Sequence, residues 1–282
     1  MGRPVILSDN VFNPRIYPDH TLAAQSTATD KDVLELASGR RNRELTGWFA
    51  SDLNTPSYVT ATFDQARAFD LLWIDRDHNL ATESLSVRIS DDGFTTYQEV
   101  GPKTVPSAPV PMSALYDGEI VMTDEGALLW WLDLQVGWAV RVLVAAMGSG
   151  LRPEIAGLSL GKLWTPEYAA IKPGVLPKWT LTHTLERGVL AQDASGESGV
   201  FQCQDLHLRM ASWDEYLTAR YPLEELYLKG RRPTVVIPDD EQAERAFFVR
   251  AMAGQQGFEV PQGQFFPEIT LPLEETQPEL VA

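Results

Sequence analysis

Between Tyr58 and Val100 the chain is written in short apolar segments separated by polar turns. Tyr58-Val-Thr-Ala-Thr-Phe63 alternates large and small residues, and Leu85-Ser-Val-Arg-Ile89 alternates apolar with polar ones. Phe69-Asp-Leu-Leu-Trp-Ile74 is apolar almost throughout and ends at the polar loop Asp75-Arg-Asp-His-Asn79. Ser90-Asp-Asp-Gly93 turns the chain into Phe94-Thr-Thr-Tyr-Gln-Glu-Val100. A period of two bounded by Asp, Asn and Gly predicts antiparallel strands with one buried face. The stretch 101–111 holds Pro102, Pro106, Pro109 and Pro111 and reads as an extended loop between strands.

The second half carries the same signal with one helical interruption. Trp179-Thr-Leu-Thr-His-Thr-Leu185 and Val200 to Met210 read as the arms of a hairpin with a long tip. Ser212-Trp-Asp-Glu215 has the form of a capping box, and Trp213, Tyr216, Leu217 and Tyr221 follow at helical spacing. Pro233-Thr-Val-Val-Ile237, 246–252 and 265–273 read as strands. After Arg250 there is no further Lys, Arg or His, and the acidic end from Glu274 is expected to fade from a strand into a tail.

Composition narrows the class. A chain of 282 residues suggests two domains, and a hydrophobic content of 44% supports full cores. A formal net charge of −16 repels phosphate backbones, so nucleic acid is not expected as a partner. The lone Cys203 excludes an internal disulfide. The run Val5-Ile-Leu7 is too short for a signal-peptide core, and no segment has the length of a membrane span. These features lead us to expect synthesis in the cytoplasm and a product that stays soluble there or leaves by a route other than ordinary secretion.

The order of strands and turns in the first half resembles the discoidin-like, galactose-binding-like β-sandwich, a jelly roll that usually binds and rarely catalyses. The resemblance places an early strand at Val33–Ser38 and an aromatic-plus-acid loop at Gly47–Asp52. It places a late pair of strands at Trp130–Leu134 and Ala139–Val144, and a closing strand at Glu154–Gly161. Gly230-Arg-Arg-Pro-Thr-Val-Val-Ile-Pro-Asp239, the hairpin and the helix after Ser212 resemble the belt domain of distal tail and baseplate proteins of long-tailed bacteriophages. The expected fold is therefore mainly β: a jelly-roll sandwich over residues 1–165, a proline-rich linker over 166–177, and a smaller β-rich α+β domain with one main helix over 178–282.

The combined resemblance implies a structural component of a phage tail tip or baseplate. Such a protein is made in the host cytoplasm, built into the virion as a homo-oligomeric ring with other tail proteins, and in contact with host-surface glycans. A free carbohydrate-binding module is the alternative, and a serine hydrolase the third reading. Trp48, Phe49, Phe94 and Tyr97 are candidates for a sugar platform or for core, with Arg40, Asn42, Asp52 and Asn54 as polar contacts. Arg231, Arg232, Phe247, Phe248, Phe265 and Phe266 are candidates for an oligomer interface, because adjacent rings on a strand point to opposite faces.

No catalytic residue, metal site or cofactor is expected. Gly157-Leu-Ser-Leu-Gly161 matches G-x-S-x-G, but Trp164-Thr-Pro166 follows where that motif needs a helix. Asp75, Asp77 and Asn79 imitate the start of a calcium loop, but Leu80 stands where its glycine belongs. His20, His78, His183 and His207 show no ligand spacing.

Overall fold

The computed structural model describes residues 3–7, 10–12, 19–37, 47–148, 150–166, 178–180, 201–209, 212–218, 234–251 and 268–275. They form a mainly antiparallel β protein in three layers. Two long strands, β4 (Ser57–Ile74) and β8 (Leu128–Val144), run side by side through the first two layers. Their outer halves, 57–62 and 139–144, join β2 (Thr21–Ala24), β5 (Ser84–Ser90) and β6 (Gln98–Thr104) in a five-stranded layer ordered β2-β4-β8-β5-β6. Their inner halves, 71–74 and 128–131, join β7 (Ile120–Met122) and β10 (Leu158–Gly161) in a second layer ordered β10-β4-β8-β7.

The sequence separates 58–63 from 69–74, and 130–134 from 139–144, as distinct strands. In the structure each pair is one strand with a bend. The register slips between Thr62 and Arg67 and again between Phe69 and Leu71. Nothing in Asp64-Gln-Ala-Arg67 ends a strand, so a bulge bends it instead. On β8 the bend passes Asp133, at φ 57°, and Gly137, where a Cβ would lie 2.4 Å from Ile89 Cγ2. Any larger residue at 137 would force Ile89 to shift. Strand β6 reaches through Gly101 and Pro102, where the sequence predicts a loop; it is a layer edge, where proline's missing donor costs no ladder bond. Residues Val33–Ala37 form a 3-10 helix rather than the expected early strand. Asp32 Oδ1 accepts from Leu34 N at 2.9 Å, a local bond that favours a turn.

The core between the first two layers gathers Val59, Ala61, Phe63, Leu85, Val87, Trp130, Val140 and Leu160. The second layer is covered on its other face as well. Leu71, Trp73, Val121 and Leu129 pack there against Val5, Leu7, Val235, Ile237 and Phe248. These last residues belong to the third layer, a sheet ordered β11-β1-β14-β15-β16-β13-β12. Its strands are β1 (Val5–Leu7), β11 (Leu163–Trp164), β12 (Lys178–Thr180), β13 (Phe201–Arg209), β14 (Thr234–Ile237), β15 (Phe247–Ala251) and β16 (Glu268–Glu275). The chain thus begins in the third layer, builds the sandwich, and returns through β11. Glu274 and Glu275, expected at the start of the tail, still pair with Cys203 and Val249.

Polar contacts fix the third layer to the sandwich. The buried Glu244 carboxylate accepts from Met112 N at 2.9 Å and Ser113 N at 3.1 Å. Leu115 N donates to Asp240 O at 2.9 Å. At the crossing from β10 to β11, Asp70 Oδ1 accepts from Leu163 N at 2.7 Å. Burial pushes the Asp70 carboxyl up to about 6, against the opposing pull of that hydrogen bond and of Lys162. Residues 213–218 are helical, and Ser212 Oγ accepts from Glu215 N at 3.1 Å, as the capping box predicts.

Candidate functional site

Four loops meet at the sandwich end away from the strand bends. They are 25–32, 50–56, 75–83 and the segment of 145–148 and 150–153. Strand β3 (Trp48–Phe49) pairs there with β9 (Glu154–Ile155) and carries two rings with opposite fates. Successive side chains on a strand face opposite ways. Trp48 points inward, is 0% exposed, and donates its indole N–H to Ser26 O at 3.1 Å and Thr27 Oγ1 at 3.2 Å. It is core, and the sugar-platform role considered for it does not survive burial.

Phe49 points outward and is half-buried. Lys31 Nζ lies 4.4 Å from its ring centre and the Arg152 guanidinium carbon 5.3 Å. Arg152 also pairs with Glu154, Nε to Oε1, at 3.7 Å. The loops around the ring are laced together. Asn54, at φ 61°, donates its N–H to Leu151 O at 3.1 Å and accepts from Gly150 N through Oδ1 at 2.7 Å. Asn79 donates to Arg152 O and accepts from Glu154 N, both at 2.9 Å. Ser51 N reaches Ser26 Oγ at 3.2 Å, and Ser51 Oγ donates to the exposed Asp52 at 3.1 Å.

The result is a fixed rim with one ring, two cations and the carboxylate of Glu154. An aromatic face with nearby donors and acceptors can pack a sugar's C–H face and fix its hydroxyls. Asp52 is exposed in the adjoining 50–56 loop, where Ser51 Oγ is its hydrogen-bond partner. Asn54 lies in the same loop, but its side chain is engaged by Gly150 N. Arg40 and Asn42 lie outside the described residues. Lys31 and Arg152, which reach Phe49, and Asn79, which braces the backbone of Arg152 and Glu154, come from separate stretches with no motif linking them, so the sequence does not single them out. Phe94 and Tyr97 belong to the 91–97 turn at the other end of β5.

The remaining candidates separate cleanly. Phe248 is 5% exposed and stacks on Trp73 at 6.0 Å, so it is an internal contact between layers and not an oligomer surface. Phe247 is half-buried on the opposite side of β15. Arg231, Arg232, Phe265 and Phe266 lie outside the described residues. Ser159 sits mid-strand in β10, 4% exposed, and accepts from Asn10 Nδ2 at 3.1 Å; this is not the sharp strand-to-helix turn of a nucleophile. Asp75 accepts from Arg76 N at 2.8 Å, and no cluster of three metal-ligating side chains occurs among the described residues.

No family model matches the chain, and no curated protein matches it. Solved structures match over about half of it. One is a family 32 carbohydrate-binding module of Clostridium perfringens NanJ in complex with galactose, 15% identical, covering 56% of this chain and 98% of its own, at a TM-score of 0.39. Another module from Clostridium perfringens, in complex with GalNAc-β-1,3-galactose, is 14% identical and covers 51% and 96%, also at 0.39. A Ruminococcus gnavus fucosidase in complex with fucose is 13% identical and covers 57% of this chain and 28% of its own, at 0.42.

Proposed function

We propose that this protein is a non-catalytic carbohydrate-recognition protein that binds a neutral sugar at the loop end of its sandwich. The observation that carries the reading is the Phe49 rim: an outward ring on a strand, framed by Lys31 and Arg152, with Glu154 as its cross-strand partner and Asp52 in the adjoining loop. Loops pinned by Asn54 and Asn79 lose little freedom on binding, which favours affinity. Screening the full chain against immobilised glycans tests it. Binding by wild type that Phe49→Ala abolishes, at an unchanged melting temperature, is the expected result. A wild type that holds no glycan would refute it.

A second reading, a ring-forming component of a phage tail tip carried in the virion, rests on the sequence resemblance and on one surface feature. Trp213 and Leu217, four apart on the helix over 213–218, are 50% and 52% exposed. Light scattering after size exclusion separates the two readings. A closed ring that Trp213→Ser with Leu217→Ser breaks into monomers would favour the tail component, and a monomeric wild type the free module.

A further inference from the structure

We propose that the outer face of the five-stranded layer holds a second, separate seat, for a saccharide bearing a carboxylate or a sulfate. In β4, β8 and β5 the residues Val59, Val140 and Val87 face the core, so Thr60, Arg141 and Arg88 face outward by strand alternation. Arg88 and Arg141 are direct cross-strand partners. Like charges placed opposite each other destabilise a sheet, so this pairing works against folding.

Among the described residues, the neighbours relieve one cation and leave the other without an acid. Arg88 Nε meets Glu99 Oε2 at 3.2 Å. Arg141 Nε donates to the neutral hydroxyl of Thr60 at 3.1 Å. Its guanidinium lies 4.0 Å from the ring centres of both Tyr58 and Phe94. Stacking on two rings holds the fork in one orientation, which lowers the entropy lost when it grips an oxyanion. Asp91 and Asp92, the acids of the adjacent turn, are engaged elsewhere: Asp91 accepts from Trp138 N, and Asp92 accepts from Thr96 and Ser90.

Beside the pair stands a ring fit for the sugar itself. Tyr97 is 48% exposed with Arg88 4.6 Å from its centre. A carboxylate or sulfate oxyanion held by the Arg141 fork directs an attached pyranose toward the Arg88 side of the pair, where this ring stands. The protein's charge of −16 disfavours a long polyanion but not a single charged group, so the ligand class is a mono-anionic sugar. Uronic acids and sulfated hexoses share this chemistry.

Calorimetric titration of the full chain with galacturonic acid, a sulfated galactose and uncharged galactose tests the seat. Tighter binding of either anionic sugar, weakening with added salt, is expected, and which one binds identifies the group. Arg141→Lys keeps the charge but loses the fork, and should cost about tenfold or more in that affinity. Tyr97→Ala, at a half-exposed ring, should fold normally and also weaken it. Two results would overturn the proposal. One is no preference for the anionic sugars, or none lost in both variants. The other is loss of anionic binding in Phe49→Ala alone, which would put the anion at the loop end beside Lys31 and Arg152.

Discussion

The two halves of β4 differ in one respect that organises the molecule. Tyr58-Val-Thr-Ala-Thr-Phe63 alternates because its layer has a core on one side and solvent on the other. Leu71-Leu-Trp-Ile74 does not alternate because its layer is packed on both sides: Leu72 and Ile74 enter the sandwich core, while Leu71 and Trp73 enter the core shared with the third layer. The partner strand β8 repeats the contrast, with Leu128-Leu-Trp-Trp131 opposite Ala139-Val-Arg-Val-Leu-Val144. A continuous apolar run on a strand therefore reports a second neighbour. Here that neighbour is built from both chain ends, β1 and β14 being hydrogen-bonded to each other.

Removing the neighbour should break the contrast most severely. A chain ending after Leu163 loses β14 and β15 and bares Leu71, Trp73, Val121 and Leu129, so it should self-associate on size exclusion. A stable monomer would show that the second layer tolerates solvent. Next in size is the pair of substitutions Trp73→Ala and Tyr58→Ala. The first removes a ring that is 2% exposed and should cost about 3–5 kcal/mol in urea denaturation. The second removes a half-exposed ring on the outer face and should cost about 1 kcal/mol. Glu244→Ala strands two amides of the 112–113 turn and should cost about 1–3 kcal/mol.

The smallest effect is a pH dependence. The folded carboxyl of Asp70 titrates at about 6, above its ordinary 3.8, so the native state favours its neutral form. Its contribution is fully present below about pH 4 and is lost as pH rises through about 6. Asp70→Asn keeps an acceptor for Leu163 N without the buried charge. It should stabilise the protein above pH 6 by on the order of 1 kcal/mol after solvent screening, with the advantage fading toward pH 4.

Strand positions and the class of fold were legible because alternation and turn residues are local signals. The helix cap at Ser212 was legible for the same reason. The bends were not: a bulge at Asp64–Arg67 has no turn signature, and only the fold shows Arg67 opposite Gly137, which itself passes close to Ile89. The place of β1 was hidden because three apolar residues give no clue to a partner more than two hundred positions away. At the loop end, Phe49 was legible as an aromatic in an acidic loop. Trp48 beside it could be assigned to core or platform only once strand parity was known. Lys31 and Arg152 were invisible, since only the folded loops bring them to one ring.

The central claim is that the loop end recognises sugar, and ligand-induced NMR shifts on the full chain test it most directly. Titration with galactose should move the amide signals of residues 25–32, 50–56 and 148–153 together, and leave those of 85–100 in place. Shifts that appear in none of these three segments, or that persist unchanged in Phe49→Ala, would contradict it.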